Sequence, residues 1–318
     1  MTFLSCICRP WTGLVLGFSL LAQGEEIKLT EIPGVVSAGT HVELIREDFQ
    51  GTEGPIALPN GDLIFTEPLA NRITRVSASN EVAPFLSETS GANALALTPS
   101  GELIAVQIGK PALAVIFPQE RARVYARDFE GLPFFRPNDL VVDQRGGIYF
   151  TDPSTPAKPD LPAPPKPSVY YFTPGKKLLR LTTAVPRPNG IQLSPDEKIL
   201  YVANTSGEFV LAFDVVKPGE IGPPREFAKL AGFRKTETGF TSGADGLAID
   251  AEGRLYVATL VGVQVFTAKG EALGIIALPK QPQNLAFAGP EKKSLYVVGR
   301  GAVYRIAMLT PGFSGRAK

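Results

Sequence analysis

Short apolar runs alternate along this chain with turns built from Pro, Asp, Asn and Gly. No long stretch keeps the i, i+3, i+4, i+7 apolar spacing of an amphipathic helix. One unit recurs instead: an apolar strand, a tight polar turn, then a second apolar strand. It is read at Glu53-GPIALPNGDLIFTE, Asn93-ALALTPSGELIAVQ, Asn138-DLVVDQRGGIYFTD, Asn189-GIQLSPDEKILYVAN, Asp245-GLAIDAEGRLYVAT and Gln283-NLAFAGPEKKSLYVV. Aligned on the turn, Gly61, Gly101, Gly146, Glu197, Gly253 and Glu291 fall in register, 38 to 56 residues apart. A helix-free repeat of that length is a propeller blade, because one such sheet cannot cover its own apolar faces and must stack on its neighbours. The pattern therefore predicts an all-β fold, a six-bladed β-propeller.

Closure of the ring is predicted as well. The segment His41-VELIRED reads as a strand without a hairpin partner of its own, and the last unit ends on the strand Ala302-VYRIAM. Pairing the N-terminal strand into the last blade joins the ends of the ring and removes an exposed edge. His41 sits at the start of that strand with no acid or nucleophile pattern around it, and is read as structural. Two insertions interrupt the repeat. Residues 153–167 contain seven prolines and cannot join a sheet, while residues 231–244 are small, polar and Gly-rich and lead into Asp245. Each reads either as an ordinary surface loop or as a rim around a site; for 153–167 both readings stand, and 231–244 is read as a rim.

The N-terminus differs in character from the repeats. Residues 1–24 carry Arg9 as their only charge, then an apolar run from Trp11 to Ala22, then small residues before Glu25. This is the layout of a secretory signal peptide, too short to span a bilayer comfortably. The expectation is export to the periplasm or medium, with residues 25–318 forming one propeller domain and no membrane contact after processing. Both cysteines, Cys6 and Cys8, lie in that leader, so no disulfide framework or thiolate metal site is available downstream. Basic residues number 32 and acidic residues 31, without a clustered basic stripe, which argues against nucleic acid as a partner. One histidine excludes any mechanism that needs a pair of them.

One column of the repeat carries the candidate chemistry. Eight positions before each turn landmark stand Glu53, Asn93, Asn138, Asn189, Asp245 and Gln283, all acids or amides. In a propeller, equivalent positions form a ring, and the inner strand of each blade begins at the central channel. Convergent carboxylates repel unless a cation or a proton lies between them. Two acids among neutral amides balance one divalent ion, and an all-oxygen donor set favours Ca²⁺, Mg²⁺ or Mn²⁺ over zinc. The alternative for the column is capping of strand ends through side-chain hydrogen bonds.

Glu53-Gly54-Pro55, Arg136-Pro137-Asn138-Asp139, Pro188-Asn189-Gly190 and Ala244-Asp245-Gly246 resemble, in order and spacing, signatures of the gluconolactonase, regucalcin or senescence-marker-protein family. The resemblance covers roughly residues 45–308. It implies a six-bladed propeller with one divalent cation, Ca²⁺ favoured and Mg²⁺, Mn²⁺ or Zn²⁺ as alternatives, held by Glu53, Asn189 and Asp245. It also implies that Arg136 and Asn138 contact a sugar-like substrate and that Asp245 is the general base. The chain departs from the family at Ala57, where Trp is frequent, and at Glu67 and Asn204, where Asp is frequent.

The function expected on these grounds is a metal-dependent hydrolase that opens a sugar lactone such as gluconolactone. A divalent ion polarises the carbonyl and helps to activate water, and with no histidine in reach the base must be a carboxylate. Two alternatives remain open at this level. One is a ligand-binding propeller with a structural cation, the other a metal-dependent esterase or phosphoesterase of broad specificity. The fold hosts all three, and the sequence is silent on the oligomeric state.

Overall fold

In the computed structural model, residues 27–153 and 165–318 are described. The leader of residues 1–24 and most of the Pro-rich insertion lie outside them. Six antiparallel sheets follow one another along the chain. The first blade comprises Glu53–Ala57, Leu63–Glu67, Arg72–Val76 and Val82–Ser87, and the second Ala92–Leu97, Leu103–Gln107, Ala112–Phe117 and Arg123–Ala126. The third comprises Leu140–Val142, Ile148–Asp152, Ser168–Phe172 and Leu178–Thr182. The fourth runs Pro188–Leu193, Ile199–Asn204 and Phe209–Lys217, with Glu220–Ile221 and Arg225–Lys229 both paired to the last of these. The fifth is Leu247–Ile249, Leu255–Thr259, Gly262–Phe266 and Ala272–Ile276. The sixth is Asn284–Ala288, Ser294–Gly299 and Ala302–Ala307, completed by Glu43–Arg46.

The added strand closes the ring as the sequence predicts. Glu43 pairs with Arg305 and Leu44 with Tyr304, and the Arg305 guanidinium meets the Glu43 carboxylate at 2.7 Å. Each innermost strand packs on that of the next blade, and the sixth packs on the first. His41 bridges Lys28 just before this outer strand, remote from the channel. Among the described residues no helix is long and apolar enough to cross a membrane.

The repeated turn has one backbone shape in all six blades. Gly61, Gly101, Gly146 and Gly253 have φ between 77° and 87°, and Glu197 and Glu291 reach 58° and 54°. Glycine adopts this left-handed conformation without a steric cost, which is why it dominates the landmark position. Between blades, large side chains from facing sheets interlock. Tyr149, Tyr201, Tyr256 and Tyr296 occupy equivalent places on the second strands, each at most 2% exposed. A buried hydroxyl needs a partner, and Tyr256 finds Asp250 at 3.1 Å on the turn side of the ring.

That turn side, the floor of the channel, is crossed by residues 311–318. The Pro311 carbonyl accepts from Ala251 N, Phe313 N donates to the Ile249 carbonyl, and Arg316 Nη2 donates to the carbonyls of Leu193 and Ser194 at 2.6 and 2.9 Å. Ala57 N then donates to the Ala317 carbonyl at 2.8 Å. The tail thus ties the fourth, fifth and first blades together and, with Leu58, Leu97 and Val142, lines a cavity of about 840 Å³.

Candidate active site

Three predicted ligands are each followed by glycine, and packing at the channel mouth explains it. A Cβ on Gly190 would lie 2.1 Å from the Asp245 carbonyl oxygen, and one on Gly246 2.1 Å from Asn284 Oδ1. On Gly54 it would lie 2.5 Å from the Asn93 carbonyl. Neighbouring inner strands therefore approach at the mouth as closely as only glycine permits. That approach brings Glu53, Asn189 and Asp245 onto one rim.

Their electrostatics follow from enclosure. The Glu53 carboxylate accepts from Gln283 Nε2 at 3.2 Å and Asn284 Nδ2 at 3.3 Å. Burial outweighs these neutral donors and pushes the group up to about 7, with the nearby charge of Asp139 adding to the shift. Burial also holds Asp245 well above the usual carboxylate range, and the charges of Glu53 and Asp139 push in the same direction. Lys318 and Arg187 oppose the rise. Among the described residues no basic side chain forms an ion pair with Glu53 or Asp245.

Asn189 supplies a third oxygen. Its Nδ2 donates to Thr205 Oγ1 at 3.1 Å, while its Oδ1 is buried with no hydrogen-bond partner. An orphaned buried acceptor beside two unpaired acids fits a hard cation, which would satisfy the amide and offset both charges. Among the described residues no three His, Cys, Asp or Glu side chains group as a metal site. A cation here would therefore depend on the Asn189 amide oxygen.

The rest of the column divides by role. Asn93 is buried and its Nδ2 donates to the Asn138 carbonyl at 2.8 Å, which is the strand-capping alternative. Gln283 braces Glu53 and accepts from Arg300 N at 2.8 Å. Asn138 is half-buried and Arg136 exposed, on the loop entering the third blade. Asp152 fixes that loop by accepting from Phe135 N at 2.9 Å and Arg136 N at 2.8 Å. The equivalent ends of two other second strands do the same work. Glu67 accepts from Gln50 N at 3.0 Å and Asn204 from Arg187 N at 3.2 Å, so each anchors a loop as Asp152 does.

Several site residues escape the sequence reading. Asp139 lies next to the column residue Asn138, and its carboxylate is paired with the Lys318 ammonium, which rises into the channel from the tail. Asn284 is likewise one position beyond Gln283. Arg187 influences Asp245 and precedes Pro188-Asn189 just as Arg136 precedes Pro137-Asn138. That repeated Arg-Pro-Asn was the signal available for it. The insertion at 231–244 forms a hairpin, Arg234–Thr236 against Gly239–Thr241, and is moored where Thr241 Oγ1 and Ser242 N donate to the Thr205 carbonyl.

Known proteins share this architecture. A gluconolactonase from Zymomonas mobilis is 29% identical over 307 residues, covering 88% of this chain and 85% of that protein. Regucalcin from Xenopus laevis is 25% identical over 260 residues, covering 80% and 84%. The solved structure of a gluconolactonase from Xanthomonas campestris superposes with a TM-score of 0.75 at 24% identity, over 90% of this chain and 98% of that one. A family model described as the SMP-30/Gluconolactonase/LRE-like region matches residues 51–300. That span holds the inner strand of every blade and each predicted ligand, and the chain therefore belongs to the SMP-30/gluconolactonase/LRE-like family.

Proposed function

We propose that this protein is a divalent-metal-dependent lactonase that opens a sugar lactone at the channel mouth. The observation that carries the reading is the buried, unpartnered Oδ1 of Asn189 beside two acids that, among the described residues, form no ion pair with a basic side chain. Relatives called gluconolactonase support the substrate class; a relative called regucalcin and a separate solved structure, a regucalcin from Agrobacterium tumefaciens described as calcium-binding, support the ion. Glu53, Asn189 and Asp245 would hold the cation, with Ca²⁺ favoured by their hard oxygens. When bound, the cation supplies a Lewis acid for the lactone carbonyl.

The protein's own groups supply the rest. Arg136 presents a forked donor to substrate oxygens, and Asn138 can donate or accept beside it. A water oxygen attacks the carbonyl carbon while the Asp245 carboxylate takes its proton. The bond from that carbon to the ring oxygen then breaks, and the proton passes to the departing oxygen as a hydroxyl. No histidine is near the channel, so a carboxylate must be the base. An activated lactone has a low intrinsic barrier, so a modest base suffices.

The test is hydrolysis of aldonolactones by chelator-stripped protein before and after return of Ca²⁺, Mn²⁺, Mg²⁺ or Zn²⁺. Lactone opening that vanishes on stripping and returns with the ion supports the reading. Metal binding without turnover favours a binding propeller, and faster turnover of aryl esters or phosphoesters favours a broader hydrolase. We further propose that residues 1–24 direct export. Exported protein whose intact mass retains Cys6 and Cys8 overturns that.

A further inference from the structure

The tail that crosses the floor does more than cover it. Beyond the Ala317 carbonyl, held by Ala57 N at 2.8 Å, the Lys318 side chain turns up into the channel and pairs with Asp139. Both side chains are almost wholly enclosed, Lys318 at 5% and Asp139 at 1% exposure. Asp139 is tied down on its other contacts as well. It accepts from Leu140 N at 2.8 Å and from Ile191 N at 3.3 Å, the latter on the strand that bears Asn189. Glu53 and Asp245 both sense the charges of Asp139 and Lys318. Three carboxylate side chains and one ammonium side chain thus influence one another here.

Counting charge gives the consequence. Counted over side chains, three carboxylates present three negative charges, one more than a divalent ion offsets. The Lys318 ammonium cancels that of Asp139 and leaves two, on Glu53 and Asp245. We propose that Lys318 is a positioning residue of this site, whose pairing with Asp139 keeps that carboxylate out of the ligand set and matches the channel to a divalent rather than a trivalent cation. The inference rests on the metal reading above. It does not depend on turnover, because its content is the ratio of two affinities.

The test titrates chelator-stripped full-length protein with Ca²⁺ and with Tb³⁺ by calorimetry and terbium luminescence. A unit charge felt at the site changes the relative affinity for ions differing by one charge by about ten-fold at the effective dielectric of a protein interior. Lys318→Met should raise the Tb³⁺:Ca²⁺ affinity ratio by about that factor, and Lys318→Arg should leave it within about two-fold of wild type. Asp139→Asn, which leaves the ammonium unopposed, should lower the ratio by a similar factor. Combining Asp139→Asn with Lys318→Met restores the net charge and should restore the ratio, an outcome that loss of packing alone does not produce. If Lys318→Met does not fold, the Asp139→Asn shift decides. A ratio unchanged in the folded single variants, or moved in the same direction by both, overturns the proposal. Wild-type protein that binds neither ion refutes the metal reading itself and removes the basis of this one.

Discussion

Asn189 and Thr205 are locked in a fixed hydrogen-bond sense. The Thr205 hydroxyl donates to the Ala244 carbonyl at 2.7 Å, so toward Asn189 it can only accept, and it accepts from Nδ2 at 3.1 Å. The amide is thereby held with Oδ1 away from the threonine, which is the orientation a cation requires. Thr205→Val keeps the shape and removes the acceptor. Divalent affinity should fall about 10- to 100-fold, the usual cost of losing an outer partner of a ligand. Thr205→Ser should retain affinity. Calorimetric titration of stripped protein checks both, and equal affinities in Val and Ser variants would show that the hydroxyl does not orient the ligand.

Asp245 carries two expected roles that substitution separates. Asp245→Asn keeps a coordinating oxygen but cannot take up a proton near neutral pH. Asp245→Ala loses both. The two variants should differ in bound metal yet agree in retaining almost no lactone hydrolysis. Rates measured against added Ca²⁺ or Mn²⁺ decide the point: rescue of Asp245→Asn to near wild type removes Asp245 as the base.

Asp152 gives a pH signature to the loop that carries Arg136. Burial raises its carboxyl from 3.8 to about 6, although two backbone N–H groups oppose the shift. The folded protein therefore binds this proton more tightly than the unfolded chain. Its stabilising effect is complete below pH 3.8 and is lost as pH rises through 6. The change amounts to roughly 2–3 kcal/mol across that window. Asp152→Asn should flatten this slope, so the stability gap between wild type and variant should shift steadily from pH 4 to pH 7 in denaturant titrations. Parallel curves would contradict the assignment.

Arg187 repeats the placement of Arg136 and sits close enough to Asp245 to influence its charge. Arg187→Gln should raise the lactone KM several-fold with a smaller effect on kcat, as expected for a donor to substrate oxygens. Because the side chain is exposed, the melting temperature should hardly move. Steady-state kinetics beside a thermal melt tests this, and an unchanged KM rejects the role.

The blades were legible because each repeats one turn, and the turn demands the left-handed backbone that Gly61 or Gly146 supplies cheaply. The channel was only half legible. Simple alternation assigns one channel-facing residue in two, but bulges between Glu53 and Ile56, Ala92 and Ala94, and Pro188 and Ile191 break the alternation at strand starts. A column one residue wide reads Glu53, Asn189 and Asp245 as ligands and passes over Asp139 and Asn284, each one position beyond a column residue. Lys318 was beyond reach for another reason. It belongs to no repeat, and only the folded ring shows that residues so far from Asp139 in sequence share its interior.

The closing strand also orders events in time. Glu43 and Arg305 are 262 residues apart, so their pairing must wait until nearly the whole chain has been synthesised. Hairpins within the first five blades form from local segments, whereas Glu43–Arg46 emerges early and keeps an unpaired edge throughout. Non-local strand pairing of this kind is slow and leaves nascent edges open to association with other chains. The sixth blade is therefore the kinetic seam of the molecule: the last joint made during synthesis, and the one whose opening lets the ring come apart.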